Sequence, residues 1–213
     1  MSLSENPLDR FIAAGGVLHV ASDGQMLPSD SEGGPTVHAL LPGSFDPFHQ
    51  GHRSLAQVAA EIIGKPVAFE LSVVNVDKPQ LTADEVRRRL MPFNGHASVW
   101  LTHAARFVDK ADAFPHTTFV VGADTALRIV LPRYYGDEVR MLAALVHLRE
   151  RACRFLVACR VNMQGNCLTL DDIPIPAGFG DLFEEIPAGR FRMDISSTAL
   201  RQSESANVTP TTR

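Results

Sequence analysis

Cysteine, tryptophan and tyrosine are scarce in this sequence of 213 residues, which contains three, one and two of them. Cys153, Cys159 and Cys167 are an odd number and lack the paired spacing of a zinc site, so we expect reduced thiols and no metal held by the protein. No apolar run is long enough to span a bilayer, and residues 1–10 lack the basic-then-apolar order of a secretion signal. The sequence therefore predicts a cytoplasmic protein with no membrane contact.

An excess of basic residues is also missing, because 24 Asp and Glu outnumber 20 Lys and Arg and leave a net charge of -4. Without a strong positive field, we expect no binding to nucleic acid. An anionic small substrate then has to be held by a few local cations and backbone N–H groups. A content of 45% hydrophobic residues is sufficient for one sizeable core.

Strand-like and helix-like segments alternate along most of the chain. The strand-like segments are 37–41, 67–74, 99–101, 117–121 and 154–159. Such alternation predicts an α/β fold, a Rossmann-like doubly wound parallel sheet with helices on both faces. Sheets of this kind bind ligands beyond the carboxyl ends of their strands, where the strand order reverses.

Composition divides the chain into three parts. Residues 37–202 are predicted to form the main domain. Residues 1–36 are interpreted as an N-terminal extension, with a short strand or hairpin from Phe11 to Val20 followed by a Ser-, Asp-, Gly- and Pro-rich linker. Residues 203–213 are polar and are predicted to be a flexible tail.

The run from Pro42 to His52 directly follows the first strand of the main domain and leads into a helix. Gly43 permits a tight turn, and His49 and His52 flank Gly51 at the predicted helix start. Free N–H groups and the helix dipole attract phosphate there, and imidazole donors can stabilise charge that develops on a phosphoryl group. A metal pair on a helix usually needs a spacing of about four and further ligands, so the pattern favours phosphate binding.

A second run, Ile195 to Arg201, places three hydroxyls in succession at another predicted helix start. Ser196, Ser197 and Thr198 can cap that helix, or they can bind phosphate oxygens together with its free N–H groups. Arg201 follows about one and a half turns later and can reach the same anion. In combination with the first run, the pattern favours phosphate binding.

These two runs resemble the H-x-G-H and I-S-S-T-x-[IL]-R motifs of the nucleotidyltransferase superfamily. The chain is most similar to the nicotinamide or nicotinate mononucleotide adenylyltransferases within it. Val121 to Asp124 resembles their Gly-x-Asp segment, and Phe155 to Arg160 resembles their late strand ending in Arg. The resemblance covers about residues 37–202 and implies that the strands before His49 and before Gly122 lie side by side.

The resemblance implies roles for particular residues. Catalytic roles fall to His49, His52 and Arg201. The implied nucleotide-binding residues are Gly43, Ser44, Phe45, Asp46, Gly51, Gly122, Asp124, Ser196, Ser197 and Thr198. The implied acceptor-binding residues are Lys78, Tyr134 and Arg160. Mg²⁺ is expected as the cofactor, bound through substrate phosphates.

The implied reaction moves AMP from ATP onto nicotinamide or nicotinate mononucleotide and releases pyrophosphate, a step of NAD biosynthesis. The partners are accordingly a nucleoside triphosphate and a small phosphorylated acceptor. Two alternatives remain open: a cytidylyltransferase or phosphopantetheine adenylyltransferase of the same superfamily, and a non-catalytic nucleotide-binding module. Association between copies of the chain also remains open.

Departures from the family pattern make the acceptor the least determined part of this prediction. Nicotinate-type enzymes carry a Trp after the Gly-x-Asp segment, whereas this chain has Leu131 to Tyr135 there. Tyr134 or Tyr135 can stack on a ligand ring, or can be core or surface aromatics. Asp124 can accept hydrogen bonds from a ribose or cap a helix.

Overall fold

A mostly parallel sheet forms the framework of the computed structural model, which describes residues 6–28, 36–76, 79–161 and 166–191. The strands are β1 (Val17–Val20), β2 (Met26–Pro28), β3 (Ala39–Pro42), β4 (Val67–Ser72), β5 (Val99–Thr102), β6 (Thr118–Gly122), β7 (Arg154–Ala158), β8 (Arg160–Val161), β9 (Cys167–Leu168) and β10 (Phe183–Glu185). Eight of them form one sheet in the spatial order β10-β7-β6-β3-β4-β5-β1-β2, and β8 pairs with β9 separately. The strands from β10 to β5 are parallel, and β1 and β2 extend the sheet with antiparallel pairing.

Helices cover both faces of this sheet. They are α1 (Pro7–Ala14), α2 (Gln50–Ile63), α3 (Ala83–Leu90), α4 (Phe107–Ala113), α5 (Ala123–Ile129) and α6 (Glu138–Glu150), with short 3₁₀ turns between some elements. Leu55 of α2 and Val86 of α3 join one hydrophobic cluster, while Leu145 of α6 joins another. The consecutive β3 residues Leu40 and Leu41 belong to different clusters, as expected for the opposite faces of a strand. This arrangement confirms the predicted doubly wound α/β fold.

The strand order reverses between β3 and β6. From β3 the chain passes outward to β4 and β5, then returns to place β6 against the other edge of β3. Ala39 of β3 is in register with Thr118 of β6 on one side and with Val67 of β4 on the other. The segments that follow β3 and β6 are therefore neighbours at the carboxyl edge of the sheet, as the resemblance implied.

The N-terminal segment begins with a helix, whereas the sequence predicted a strand or hairpin from Phe11 onward. The side chain of Asn6 accepts a hydrogen bond from the N–H of Leu8 at 3.0 Å, and Pro7 occupies the first turn. Leu8 and Phe11, one turn apart, are both buried against the sheet. Only β1 lies in the predicted segment, and its partner β2 lies in the stretch interpreted as a linker. The two strands pair antiparallel and continue the main sheet through β5.

The β8–β9 hairpin corrects the expectation of three reduced thiols. Cys159 and Cys167 form a disulfide across it, with their Cα atoms 5.8 Å apart. Cys153 remains a buried free thiol. A sequence separation of eight carries no signature of such a disulfide, which depends on the antiparallel pairing of β8 with β9.

Candidate active site

The turn after β3 packs on a buried aromatic side chain. Phe45 is 1% exposed, and its ring packs edge-on against Phe48, Phe69 and Phe93. A Cβ added at Gly43 would lie 2.6 Å from the Phe45 ring, so only glycine fits there. The side chain of Phe45, which the resemblance implies to be a nucleotide-binding residue, thus supports the turn from the core side. The exposed neighbours of Phe45 remain available to a ligand.

Two arginines of α3 hold the same turn from the side. Arg88 lies 2.6 Å from the carboxylate of Asp46, and Arg89 lies 3.7 Å from it. Arg89 also donates to the backbone carbonyl of Ser44 at 2.9 Å. Hydrogen bonds from Arg88 and Arg89 lower the pKa of the Glu85 carboxyl to about 2, so this network is charged at neutral pH. The carboxylate of Asp46, which the resemblance implies to be a nucleotide-binding residue, connects the turn to α3 in this structure.

His49 and His52 stack at the start of α2, with ring centroids 3.8 Å apart. The backbone N–H of His49 donates to Nδ1 of His52 at 3.2 Å, so the neutral His52 ring carries its proton on Nε2. The His49 ring lies over Gly51, where an added Cβ would be 3.0 Å from it. Neither nitrogen of the buried His49 ring has a hydrogen-bond partner among the described residues.

The environment of the two histidines keeps both neutral. Burial, the neighbouring His49 and the charge of Arg160 lower the pKa of His52 to about 3. Burial and Arg160 also lower the pKa of His49. At neutral pH each ring therefore carries one N–H donor and one acceptor nitrogen. The structure thus brings Arg160, which was implied to bind the acceptor, into electrostatic range of the histidines.

The neighbouring strand β6 ends at Gly122, which is the N-cap of α5. Asp124 lies in the first turn of that helix, so its side chain does not occupy the capping position. A Cβ at Gly122 would lie 2.7 Å from Oδ1 of Asp124, which shows that the carboxylate folds back over the strand end. Asp124 therefore lies at the switch point, beside the turn that carries the histidines.

A cavity of about 420 Å³ lies beyond the carboxyl ends of β3 and β4. Gly43, Ser44 and Asp46 of the first motif form part of its wall. Its remaining wall includes five polar or aromatic side chains: Arg89, Arg106, Arg128, Tyr134 and Tyr135. The cavity adjoins the histidine turn and is large enough for a small phosphorylated molecule.

Tyr134 and Tyr135, whose roles the sequence left open, both line this cavity. Tyr135 is fixed, because its hydroxyl donates to the carbonyl of Ile129 at 2.9 Å. Burial raises the pKa of Tyr135 to about 12. The guanidinium of Arg133 lies 5.0 Å from the centre of the Tyr134 ring. The cavity therefore has an aromatic wall, although the chain lacks the Trp that nicotinate-type enzymes carry after the Gly-x-Asp segment.

Sequence reasoning missed four charged residues of the cavity: Glu70, Arg106, Lys110 and Arg128. Arg128 lies on α5, one turn after Asp124, and no carboxylate in the described part of the chain pairs with it. Glu70 and Lys110 form a buried ion pair at 2.6 Å. The available signal for Glu70 was a lone acidic residue within the apolar strand segment 67–74.

Some of the predicted site residues lie outside the described part of the chain. They are Lys78 and the residues of the second motif, Ser196, Ser197, Thr198 and Arg201.

A protein-family model described as cytidylyltransferase-like matches residues 40–203. The match covers most of the chain, so the chain belongs to the cytidylyltransferase-like family of the nucleotidyltransferase superfamily. This membership supports nucleotidyltransferase activity in general. A comparison with curated proteins gives no match. None of the helices in the described residues is long and apolar enough to cross a membrane.

Proposed function

We propose that the chain transfers AMP from ATP to a phosphorylated acceptor, nicotinamide or nicotinate mononucleotide, and releases pyrophosphate. The observation that carries this proposal is the pair of neutral imidazoles at the start of α2, beside the Gly122–Asp124 turn. Both groups lie at the switch point of the sheet, where ligands of such folds bind. Within the described ranges, the site offers hydrogen-bond donors and cations but no side chain arranged as a nucleophile with a base.

That donor set suits direct in-line displacement. A phosphate oxygen of the acceptor attacks the α-phosphorus of the triphosphate, and the bond from this phosphorus to the bridging oxygen of pyrophosphate breaks. The attacking oxygen is already anionic, so the step needs positioning and charge stabilisation rather than a general base. N–H groups of His49 and His52 would donate to the phosphoryl oxygens as negative charge develops.

The triphosphate would extend from this point in two directions. Asp124 would accept hydrogen bonds from the ribose, and Gly122 would let the nucleoside approach the strand end. The β- and γ-phosphates would be held by the second motif, as the resemblance implies, through Ser196, Ser197, Thr198 and Arg201. Mg²⁺ would be bound mainly by phosphate oxygens and water, because the described residues contain no cluster of three or more metal-ligand side chains.

The cavity beside the turn would hold the acceptor. Tyr134 supplies an aromatic surface for a ring, and Arg128 and Arg106 supply positive charge for a phosphate. Arg106 is already paired with Asp109 at 2.9 Å, whereas no described carboxylate pairs with Arg128. Lys78 is a further candidate from the sequence. Arg128 is accordingly the first residue to test for acceptor binding.

Pyrophosphate release from ATP or CTP, measured with a panel of phosphorylated acceptors, tests the proposal. We expect turnover with ATP and a pyridine mononucleotide. Turnover only with CTP, or only with phosphopantetheine, would assign the chain to another branch of the superfamily. Triphosphate binding with no pyrophosphate release from any pair would identify a non-catalytic binding module.

The histidines provide the matching test of mechanism. His49→Ala and His52→Ala should each lower kcat by at least about a hundredfold, because each removes a donor to the transition state. His96→Ala is the control, since His96 is exposed and lies away from the cavity. Equal activity in all three variants would exclude the two imidazoles from the reaction.

A further inference from the structure

Glu70 is a carboxylate at the floor of the cavity, within the otherwise apolar strand β4. It is 1% exposed. Its sequence neighbours Phe69 and Leu71 point to the opposite face of the strand and join the first hydrophobic cluster, whereas the side chain of Glu70 lies on the cavity side. Its backbone carbonyl accepts a hydrogen bond from the N–H of Gly43 at 2.9 Å. Glu70 is thus attached directly to the turn that carries the histidines.

The two carboxylate oxygens of Glu70 have different environments. Oε1 accepts from Nζ of Lys110 at 2.6 Å and from the hydroxyl of Thr102 at 2.5 Å. Oε2 is equally buried but has no hydrogen-bond partner in the part of the chain that the structure describes. Lys110 is 5% exposed and also donates to the carbonyl of Ala104 at 2.8 Å. One of its three N–H groups is therefore left without a described partner.

A buried acceptor without a donor lowers stability, and the cost is larger for a charged group than for a neutral one. Buried polar atoms in folded proteins are nearly always satisfied by protein, water or ligand. Glu70 and Lys110 both line the cavity, so a bound molecule can supply the missing partner. That partner has to be a hydrogen-bond donor, because a carboxylate ligand would repel the lone pairs of Oε2.

We propose that Glu70 makes the cavity selective for an acceptor whose inner end is an uncharged carboxamide rather than a carboxylate. The carboxamide N–H₂ would donate to Oε2 of Glu70, and its carbonyl would accept from the remaining N–H of Lys110. This inference rests on the proposed transfer to a pyridine mononucleotide. It selects the nicotinamide form of that acceptor over the nicotinate form.

The shape of the cavity agrees with this choice. Val73 and Val74 follow β4 beside Glu70, and Phe107 and Tyr135 contribute aromatic surface to the same cavity. A planar heterocycle fits between apolar and aromatic walls, and its polar substituent then reaches a small number of fixed groups. Because the ion pair is neutral as a whole, the floor offers no net charge to attract a carboxylate.

Calorimetric titration of the wild-type chain with three ligands tests the proposal without requiring turnover. The ligands are nicotinamide mononucleotide, nicotinate mononucleotide and the N,N-dimethyl derivative of the amide, which keeps the ring and charge but has no N–H. We expect the primary amide to bind at least about tenfold more tightly than either of the others. Equal binding of the three ligands, tighter binding of nicotinate, or no binding of the amide would overturn the proposal.

Variants then locate the selectivity at Glu70. Glu70→Gln should reduce the preference for amide over acid to within about threefold, because an amide N–H₂ can then stand where Oε2 accepted a hydrogen bond. The double variant Glu70→Gln with Lys110→Gln keeps the charge balance and should show the same reduction. Thr102→Val is the matched control, since it removes a hydrogen bond to Oε1 and leaves Oε2 unchanged. An unchanged preference in folded Glu70→Gln would overturn the proposal. If these variants do not fold, the dimethyl ligand on the wild-type chain decides.

Binding and turnover also separate this inference from the proposed function. Selective binding of the amide without pyrophosphate release from ATP would support the role of Glu70 and contradict the transferase proposal. Turnover with equal efficiency on both mononucleotides would support the transferase proposal and overturn the role of Glu70.

Discussion

Acidification should destabilise the fold through His52. The pKa of this imidazole is 6.5 in a free side chain and about 3 in the folded protein, where burial, His49 and Arg160 all oppose protonation. Below pH 6.5 the unfolded chain therefore binds a proton at His52 that the folded chain does not bind. The contribution of neutral His52 to stability is complete above pH 6.5 and is lost as the pH falls toward 3.

The size of the effect follows from the two pKa values. Between pH 7 and pH 5, protonation of His52 in the unfolded chain alone should lower the free energy of unfolding by about 2 kcal/mol. Urea denaturation at both pH values measures this loss. In His52→Gln the site no longer titrates, so the loss over the same interval should be about 2 kcal/mol smaller than in the wild-type chain.

A control and a direct measurement check the reasoning. His96→Gln, at an exposed position, should show the same pH dependence as the wild-type chain. Other buried histidines with a lowered pKa, such as His19 and His103, contribute equally to all three proteins. If NMR titration places the pKa of His52 near 6.5 in the folded chain, or if His52→Gln and wild type lose equal stability, the reasoning is refuted.

Three further predictions concern other parts of the site. Gly43→Ala should lower the free energy of unfolding by about 1–3 kcal/mol in chemical denaturation, because the new methyl group meets the Phe45 ring at 2.6 Å. Arg128→Ala should raise KM for the acceptor about tenfold with no change in Tm, since the side chain is exposed and has no ion pair with a described carboxylate; an unchanged KM would remove it from the site. Arg201→Ala should weaken ATP binding by about ten- to a hundredfold and leave AMP binding unchanged in calorimetry, whereas equal losses for both nucleotides would indicate a helix cap.

Local signals predicted the elements they belong to. The sequence Thr82 to Glu85 has the Thr-x-x-Glu pattern of a capping box, and the side chain of Thr82 accepts from the N–H of Glu85 at 3.3 Å before α3. Gly64 ends α2 with φ 71, a left-handed conformation that glycine adopts without strain. Apolar runs of strand length predicted the parallel strands β3 to β7 to within a few residues, whereas the short parallel strand β10 was not predicted. In each case the determining contacts lie within a few residues of one another.

Contacts between distant residues could not be predicted in this way. Adjacent side chains of a helix point in different directions, and of the three successive arginines on α3, Arg87 pairs with Asp9 at 2.9 Å. The pairing of Arg88 with Asp46 spans 42 positions and depends on how α3 packs beside the turn. α4 was missed because it is short and its N-cap is Arg106, which is not among the residues that usually signal a helix start.

The first motif contains two kinds of residue that its sequence does not distinguish. The ring of Phe45 is buried and the carboxylate of Asp46 is paired with Arg88, so these side chains hold the turn in place. Among the residues that the structure describes, neither ring nitrogen of His49 has a hydrogen-bond partner. In His52, Nδ1 accepts from the backbone, so the proton lies on Nε2. Donors fixed in this way need no reorganisation when charge develops on a phosphoryl group, and such preorganisation is the main source of electrostatic catalysis. A substitution at Phe45 or Asp46 should therefore lower activity by displacing the imidazoles, and a substitution at His49 or His52 by removing the donor itself.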